Sequence, residues 1–135
     1  MFFISCQKDF NVDELMALLK QTYWAAERPK ELVEKSLQHS VNYGAFDELG
    51  RLIGFARVVT DFVSIYYVCD VIVDEEHRGL GIGKALVDTI VNDERFAHVG
   101  ALLKTKDAHG LYRQYGFQDV DPGRVMYRFK KSPQD

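Results

Sequence analysis

The stretch Tyr67 to Ile90, YVCDVIVDEEHRGLGIGKALVDTI, decides the fold. Its first part, Tyr67 to Val73, is β-branched and aromatic apart from Asp70, and predicts a buried strand. Asp74 to Gly83 is a largely polar loop that ends in three glycines, Gly79, Gly81 and Gly83. Apolar residues then recur at Ile82, Ala85, Leu86 and Ile90, a helical spacing. Strand, glycine loop and helix in that order make an anion site. The first turn of a helix carries unpaired backbone N–H groups, and the macrodipole adds partial positive charge there. Glycine lets that backbone approach a phosphate with no Cβ in the way.

Two common phosphate motifs do not fit. The Walker pattern needs four residues between its first glycine and the Gly-Lys pair, and then Ser or Thr. Here three residues separate Gly79 from Gly83, and Ala85 follows Lys84, so the magnesium-binding hydroxyl is missing and a nucleotide hydrolase is not expected. The dinucleotide fingerprint G-x-G-x-x-G fails too, because the spacing is G-L-G-I-G. What remains is R-x-x-G-x-G, as Arg78, Gly81 and Gly83.

Composition sets the frame. A chain of 135 residues, 47% hydrophobic and 27% charged, reads as a soluble globular protein with room for a core, here taken as one domain spanning residues 1–135. A net charge of −3 and the lack of basic runs with interleaved aromatics argue against a nucleic-acid partner. The apolar start MFFIS is too short for a signal peptide or membrane span, so the expected setting is the cytoplasm, away from membranes. Cys6 and Cys69 form no C-x-x-C pair and read as two buried strand thiols. No metal site is expected.

Outward from the central stretch, Phe2 to Gln7 reads as a first strand. Asn11 caps a helix with Val12, Leu15, Met16 and Leu19 on one face. A second helix follows from about Pro29 to Ser40. Tyr43 to Phe46 and Leu52 to Thr60 form a hairpin around Asp47 to Gly50, and Ser64 to Val73 is the next strand. After the helix from Lys84 to about Asp93, Ala101 to Leu103 reads as a short parallel strand. Asp107 is the expected cap of a short helix ending at Tyr115, with Gly116 in the left-handed C-terminal position. Phe117 to Val120 and Val125 to Phe129 read as a closing hairpin around Asp121, Pro122 and Gly123. Ser132 to Asp135 is expected to fray.

Read together, R-x-x-G-x-G after a strand and the segment Ala108 to Phe117, AHGLYRQYGF, resemble the two motifs of the GNAT superfamily of N-acetyltransferases. The second is written A-x-x-L-Y-x-x-x-G-F in that family. The order β-α-α-β-β-β-α-β-α-β-β extends the likeness over most of the chain. More narrowly, FARVVTD at Phe55 to Asp61 and TKDAHGLY at Thr105 to Tyr112 resemble small bacterial members. The resemblance implies an α+β, three-layer fold with a mixed, mostly antiparallel sheet flanked by helices. It also implies acetyl-coenzyme A as cofactor, a small-molecule or peptide amine as acceptor, and a homodimer as a family-level expectation.

The same resemblance assigns the site. Backbone N–H groups of Gly79, Leu80, Gly81, Ile82, Gly83 and Lys84 would hold the diphosphate, with Arg78 and Lys84 adding charge. Val71, Ile72 and Val73 would pair with the pantetheine arm like an added strand, and an N–H near Val71 would polarise the thioester carbonyl. Thr105 stands where many members carry an Asn that contacts the arm. Tyr112 is the expected acid for the departing thiolate, since a phenol of pKa ~10 stays protonated at neutral pH. Asp70, a carboxylate in an apolar strand, is the base for the amine, a binding group for a cationic acceptor, or a structural group bonded to backbone or Arg. His109, an imidazole suited to proton transfer, is either a second candidate for the base or a lining residue, and Tyr23, Trp24, Arg28 and Tyr67 would form the acceptor pocket with it. The reading from another class is a non-catalytic acyl-coenzyme A sensor.

Overall fold

The computed structural model describes residues 1–130. Its first two helices and four of its strands arise from local chemistry. Strand β1, Phe3–Cys6, leads to helix α1, Val12–Leu19. Asn11 caps α1, its side-chain oxygen accepting the Glu14 N–H at 3.0 Å. Helix α2, Lys30–Gln38, starts directly after Pro29. Strands β2, Val41–Phe46, and β3, Leu52–Thr60, are joined by a turn in which Asp47 accepts the N–H groups of Leu49 and Arg51. Strand β4 is Ile65–Val73, helix α3 Ile82–Val91, strand β5 Gly100–Leu103 and helix α4 His109–Arg113.

The sheet has the order β1-β2-β3-β4-β5. The first three pairings are antiparallel and β4–β5 is parallel. Helix α3 buries Ile82, Leu86 and Ile90 against Tyr43, Ala45, Ala56, Val58, Tyr66 and Val68 on one face. Helices α1 and α2 bury Leu15, Leu18, Leu19, Val33 and Leu37 against Leu52, Phe55 and Ile72 on the other. The result is the expected three-layer α+β arrangement. Gly54 lets the start of α3 sit close on β3, because a Cβ there would come 2.8 Å from the Ile82 Cγ2 atom.

Strand β4 changes face partway along. Cys69 lies opposite Arg57 and Ile72 opposite Phe55, so Asp70 and Val71 together face the single residue Ala56. This is a β-bulge, and Asp70 sits in it at φ +53°. Before the bulge, Tyr66 and Val68 belong to the α3 face; after it, Val71 and Val73 do, while Ile72 turns to the α1–α2 face. One extra residue therefore shifts the alternation by one step. Along its other side β4 pairs with β5 only from Ile65 to Val68. Beyond that point β5 ends and β4 runs on to Val73, its flank unpaired among the described residues.

Several expectations need correction. Phe117 to Val120 and Val125 to Phe129 form no hairpin; they are irregular around a 3-10 turn at Pro122–Arg124. Alternating residues become a strand only where an edge receives them. Asp107 does not cap α4; the hydroxyl of Thr105 accepts the Ala108 N–H at 3.0 Å instead. Gly116 does take the left-handed conformation, at φ +87°, and the Phe117 N–H closes back on the Tyr112 carbonyl at 3.2 Å. Cys6 is exposed rather than buried, Cys69 is half-buried, and both are free thiols. The expectation for Ser132 to Asp135 lies outside the described residues. Among the described residues, no helix is long and apolar enough to cross a membrane.

Candidate active site

The glycine loop holds its donors ready. Gly79 and Gly81 take φ +81° and +82°, where other residues are strained. A Cβ at either would meet nothing within 4 Å, so the loop is open above both. Helix α3 begins at Ile82 with Gly81 as N-cap and no side-chain cap. The first N–H of this turn with a partner is that of Ala85, which donates to the Gly81 carbonyl at 2.9 Å. The N–H groups of Gly81, Ile82, Gly83 and Lys84 donate to no acceptor among the described residues. Open backbone, unpaired donors and the helix dipole fit a diphosphate. The side chains of Arg78 and Lys84 stand exposed beside them.

Next to the loop lies the free flank of β4, formed by Cys69 to Val73. Parallel pairing with β5 stops at Val68 and Leu103, where β5 ends, and leaves the edge of β4 beyond it without a strand partner among the described residues. Unpaired main chain of this kind accepts an extended ligand arm by strand-like hydrogen bonds. Val71, Ile72 and Val73 occupy this flank, and their side chains pack into the two cores, as expected for a strand that binds through its backbone.

Asp70 sits at the centre of a built network. Its Oδ1 accepts the Trp24 indole N–H at 3.0 Å and an Arg28 N–H at 3.2 Å. Its Oδ2 accepts Arg28 at 2.7 Å and the Arg57 Nε–H at 2.9 Å. Arg57 also donates to the Ser40 hydroxyl at 3.1 Å. A carboxylate has about four lone-pair sites, and four donors fill them. Burial pushes the Asp70 pKa up, but Arg28 and Arg57 outweigh it and hold the group below the usual carboxylate range. An ionised, saturated carboxylate does not take a proton from an amine. The arrangement fits the structural reading of Asp70, paired with Arg, better than the reading as base. Arg57 and Ser40 were missed from sequence, although a lone Arg in the strand opposite a lone Asp was the available signal.

The network also places the expected acceptor wall. Trp24 and Arg28 reach Asp70 from the segment between α1 and α2, and Tyr23 stacks edge-on against Trp24 at 5.1 Å. The Lys106 ammonium lies 5.2 Å from the Tyr23 ring centre. Tyr67, half-buried on β4, is three residues before Asp70. Burial pushes the Cys69 thiol up to about 11, so it stays neutral and suits no nucleophilic role.

Thr105, His109 and Tyr112 line a cavity of about 970 Å³ beside β5, whose wall includes Tyr66 but neither Asp70 nor the glycine loop. Tyr112 is buried, its ring edge-on to Phe117 at 5.8 Å. Its phenol makes no hydrogen bond among the described residues, and burial raises its pKa above the ordinary value. The phenol therefore carries its proton at neutral pH. Thr105 spends its oxygen on the Ala108 N–H, which ties the loop to α4. Among the described residues no group of His, Cys, Asp and Glu side chains could hold a metal ion.

Comparisons with known proteins agree with this geometry. The family model for the GNAT acetyltransferase domain matches residues 38–119. A crystal structure from Xanthomonas campestris pv. campestris, of a protein assigned to the GNAT acetyltransferase family, is 34% identical, with a TM-score of 0.84 over 95% of this chain and 94% of that one. Serotonin N-acetyltransferase 2, chloroplastic, of Oryza sativa subsp. japonica is 33% identical over 80% of this chain and 58% of its own length. The uncharacterized N-acetyltransferase ycf52 of Porphyra purpurea is 29% identical over 96% of this chain and 78% of its own length.

Proposed function

The chain belongs to the GNAT family of acetyltransferases, and from that premise we propose that it moves an acetyl group from acetyl-coenzyme A directly to a primary amine. The observation that carries the donor is the row of unpaired N–H groups from Gly81 to Lys84, beside the free flank of β4. Those N–H groups hold the two phosphates, and Gly79 and Leu80 shape the approach. Arg78 and Lys84 add positive charge from the rim. The main chain of Val71 to Val73 binds the pantetheine arm, with an N–H near Val71 stabilising the charge that develops on the carbonyl oxygen.

Bound there, acetyl-coenzyme A supplies its acetyl group as an activated thioester. Tyr112 keeps the phenolic proton that the departing sulfur needs. Asp70 is a positioning residue: it fixes Trp24 and Arg28, and with them the wall that an amine meets. Tyr23, Trp24, Arg28, Tyr67 and His109 form the acceptor pocket, and Thr105 ties its loop to the start of the helix that carries His109 and Tyr112.

The test is release of free thiol from acetyl-coenzyme A with a panel of amines. The panel spans arylalkylamines, including serotonin because the rice relative is named for it, polyamines, amino acids and peptide N-termini. Release that depends on one amine class supports the reading. Coenzyme binding with no release for any acceptor contradicts it and favours a sensor.

A further inference from the structure

The wall around Asp70 is cationic, in a chain whose net charge is −3. At its centre two guanidiniums share one carboxylate. Asp70 accepts two N–H groups from Arg28 and one from Arg57, and the Ser40 hydroxyl accepts another from Arg57. Each guanidinium has five N–H donors, so more than half are left over among the described residues. One positive charge is also left uncompensated, on side chains about four-fifths buried. There it attracts an anion more strongly than a fully solvated charge does.

From this centre, contacts run outward in two directions and meet again on one loop. In one direction Trp24 bonds Asp70, Tyr23 stands edge-on to Trp24, and the Lys106 ammonium lies 5.2 Å from the Tyr23 ring centre. In the other direction is Tyr67. Burial pushes its phenol up, with Cys69, Tyr127 and Asp70 adding to the rise and Arg57 opposing it, so Tyr67 lies among these groups. The Lys104 ammonium is 4.0 Å from the Tyr127 ring centre. Lys104 and Lys106 flank Thr105, which closes the ring. Both lysines are exposed, and neither makes an ion pair among the described residues. Glu27 and Asp107 adjoin the ring in sequence and make none either. With them and Asp70 counted, four cations still face three carboxylates.

We propose that the acceptor is an amine with its own anionic group, a carboxylate or a phosphate, which Arg28 and Arg57 bind directly while Lys104 and Lys106 attract it. The planar guanidinium fork matches the oxygens of both anions, and fixed aromatic faces beside it suit a small organic molecule. An amine with no other charge is repelled by this wall while protonated. An anionic group instead gives the acceptor a handle away from the nitrogen that reacts. This rests on acetyl transfer being the reaction and names the acceptors it serves.

Trp24 is the single tryptophan of the chain, so its fluorescence reports on this wall directly. Two matched pairs of amines separate the anions: 4-aminobutyrate against butylamine, and phosphoethanolamine against ethanolamine. Each is titrated at constant ionic strength into the chain saturated with coenzyme A, and each is tested for thiol release from acetyl-coenzyme A. The anionic member of at least one pair should shift Trp24 emission and show a KM about 10-fold below its partner's, with similar kcat. A response confined to one pair assigns the anion. In the double variant Lys104→Gln/Lys106→Gln the KM gap should shrink to about 3-fold, since both side chains are exposed, with kcat and circular dichroism native. Equal KM within both pairs, with release intact, overturns the anionic acceptor and leaves acetyl transfer standing. A Trp24 shift with no release from any amine contradicts acetyl transfer and keeps the anion site. No shift from either anionic member, or a gap unchanged in the variant, overturns the site whatever is released.

Discussion

Around β4, one buried carboxylate gathers hydrogen bonds from Trp24, Arg28 and Arg57, and Asp70 takes a left-handed conformation in the bulge. On the α4 side, Tyr112 has a free phenol and Thr105 makes a single bond to the Ala108 N–H. The first wall is set before any ligand arrives. The second keeps the Tyr112 phenol uncommitted. A transferase gains from this division: the binding strand must not shift, while the acid must stay free to give up its proton.

If the β4 wall is the rigid one, breaking it should cost the most. Asp70→Ala leaves the Arg28 and Arg57 guanidiniums, both about four-fifths buried, without their anion. We expect a loss of about 3–5 kcal/mol in urea denaturation, as for a buried pair stripped of one partner. Acid should act the same way on the native chain. The folded Asp70 pKa is lowered, so its contribution is complete above the unfolded value of ~3.9 and is lost as pH falls through the folded one. Stability of Asp70→Ala equal to native at pH 7 would mean the network holds nothing.

Gly81→Asp comes next. It places a carboxylate among the unpaired donors at φ +82°, where Asp is tolerated better than most residues. We expect coenzyme affinity to fall by about 100-fold, or ~2.7 kcal/mol, with the denaturation midpoint little changed. Calorimetric binding at native strength would move the diphosphate elsewhere.

Around α4 the effects should fall on turnover rather than folding. Tyr112→Phe should reduce kcat by about 100-fold, the lower end for a lost general acid, with coenzyme affinity kept. Because burial raises the Tyr112 pKa, any fall in kcat from its ionisation should begin above ~10. An unchanged kcat, with chemistry shown to limit the rate, would remove Tyr112 as the acid. Thr105→Ala should be mildest, costing ~1 kcal/mol as for a lost helix cap. A larger loss, matching that of Asp70→Ala, would erase the contrast between the walls.

Legibility in the sequence followed the range of the interactions. The glycine loop and the start of α3 could be read because spacing over a few residues encodes them. Asn11 and Gly116 act on backbone within a few positions of themselves, and both are legible in the sequence. Asp70 could be flagged as a carboxylate in an apolar strand but not resolved. Its partners Arg28 and Arg57 lie 42 and 13 residues away, and only the bulge brings all three together. The closing hairpin was misread for a related reason. Val125 to Phe129 alternates like a strand, yet alternation does not say which edge receives it.

The central claim is that the amides opening α3 grip the phosphates of the coenzyme. It is tested most directly by following the backbone amide resonances of the native protein during titration with acetyl-coenzyme A. The account predicts that Gly81, Ile82, Gly83 and Lys84 show the largest shifts and saturate together. If those four amides stay in place while the coenzyme binds, the claim is wrong.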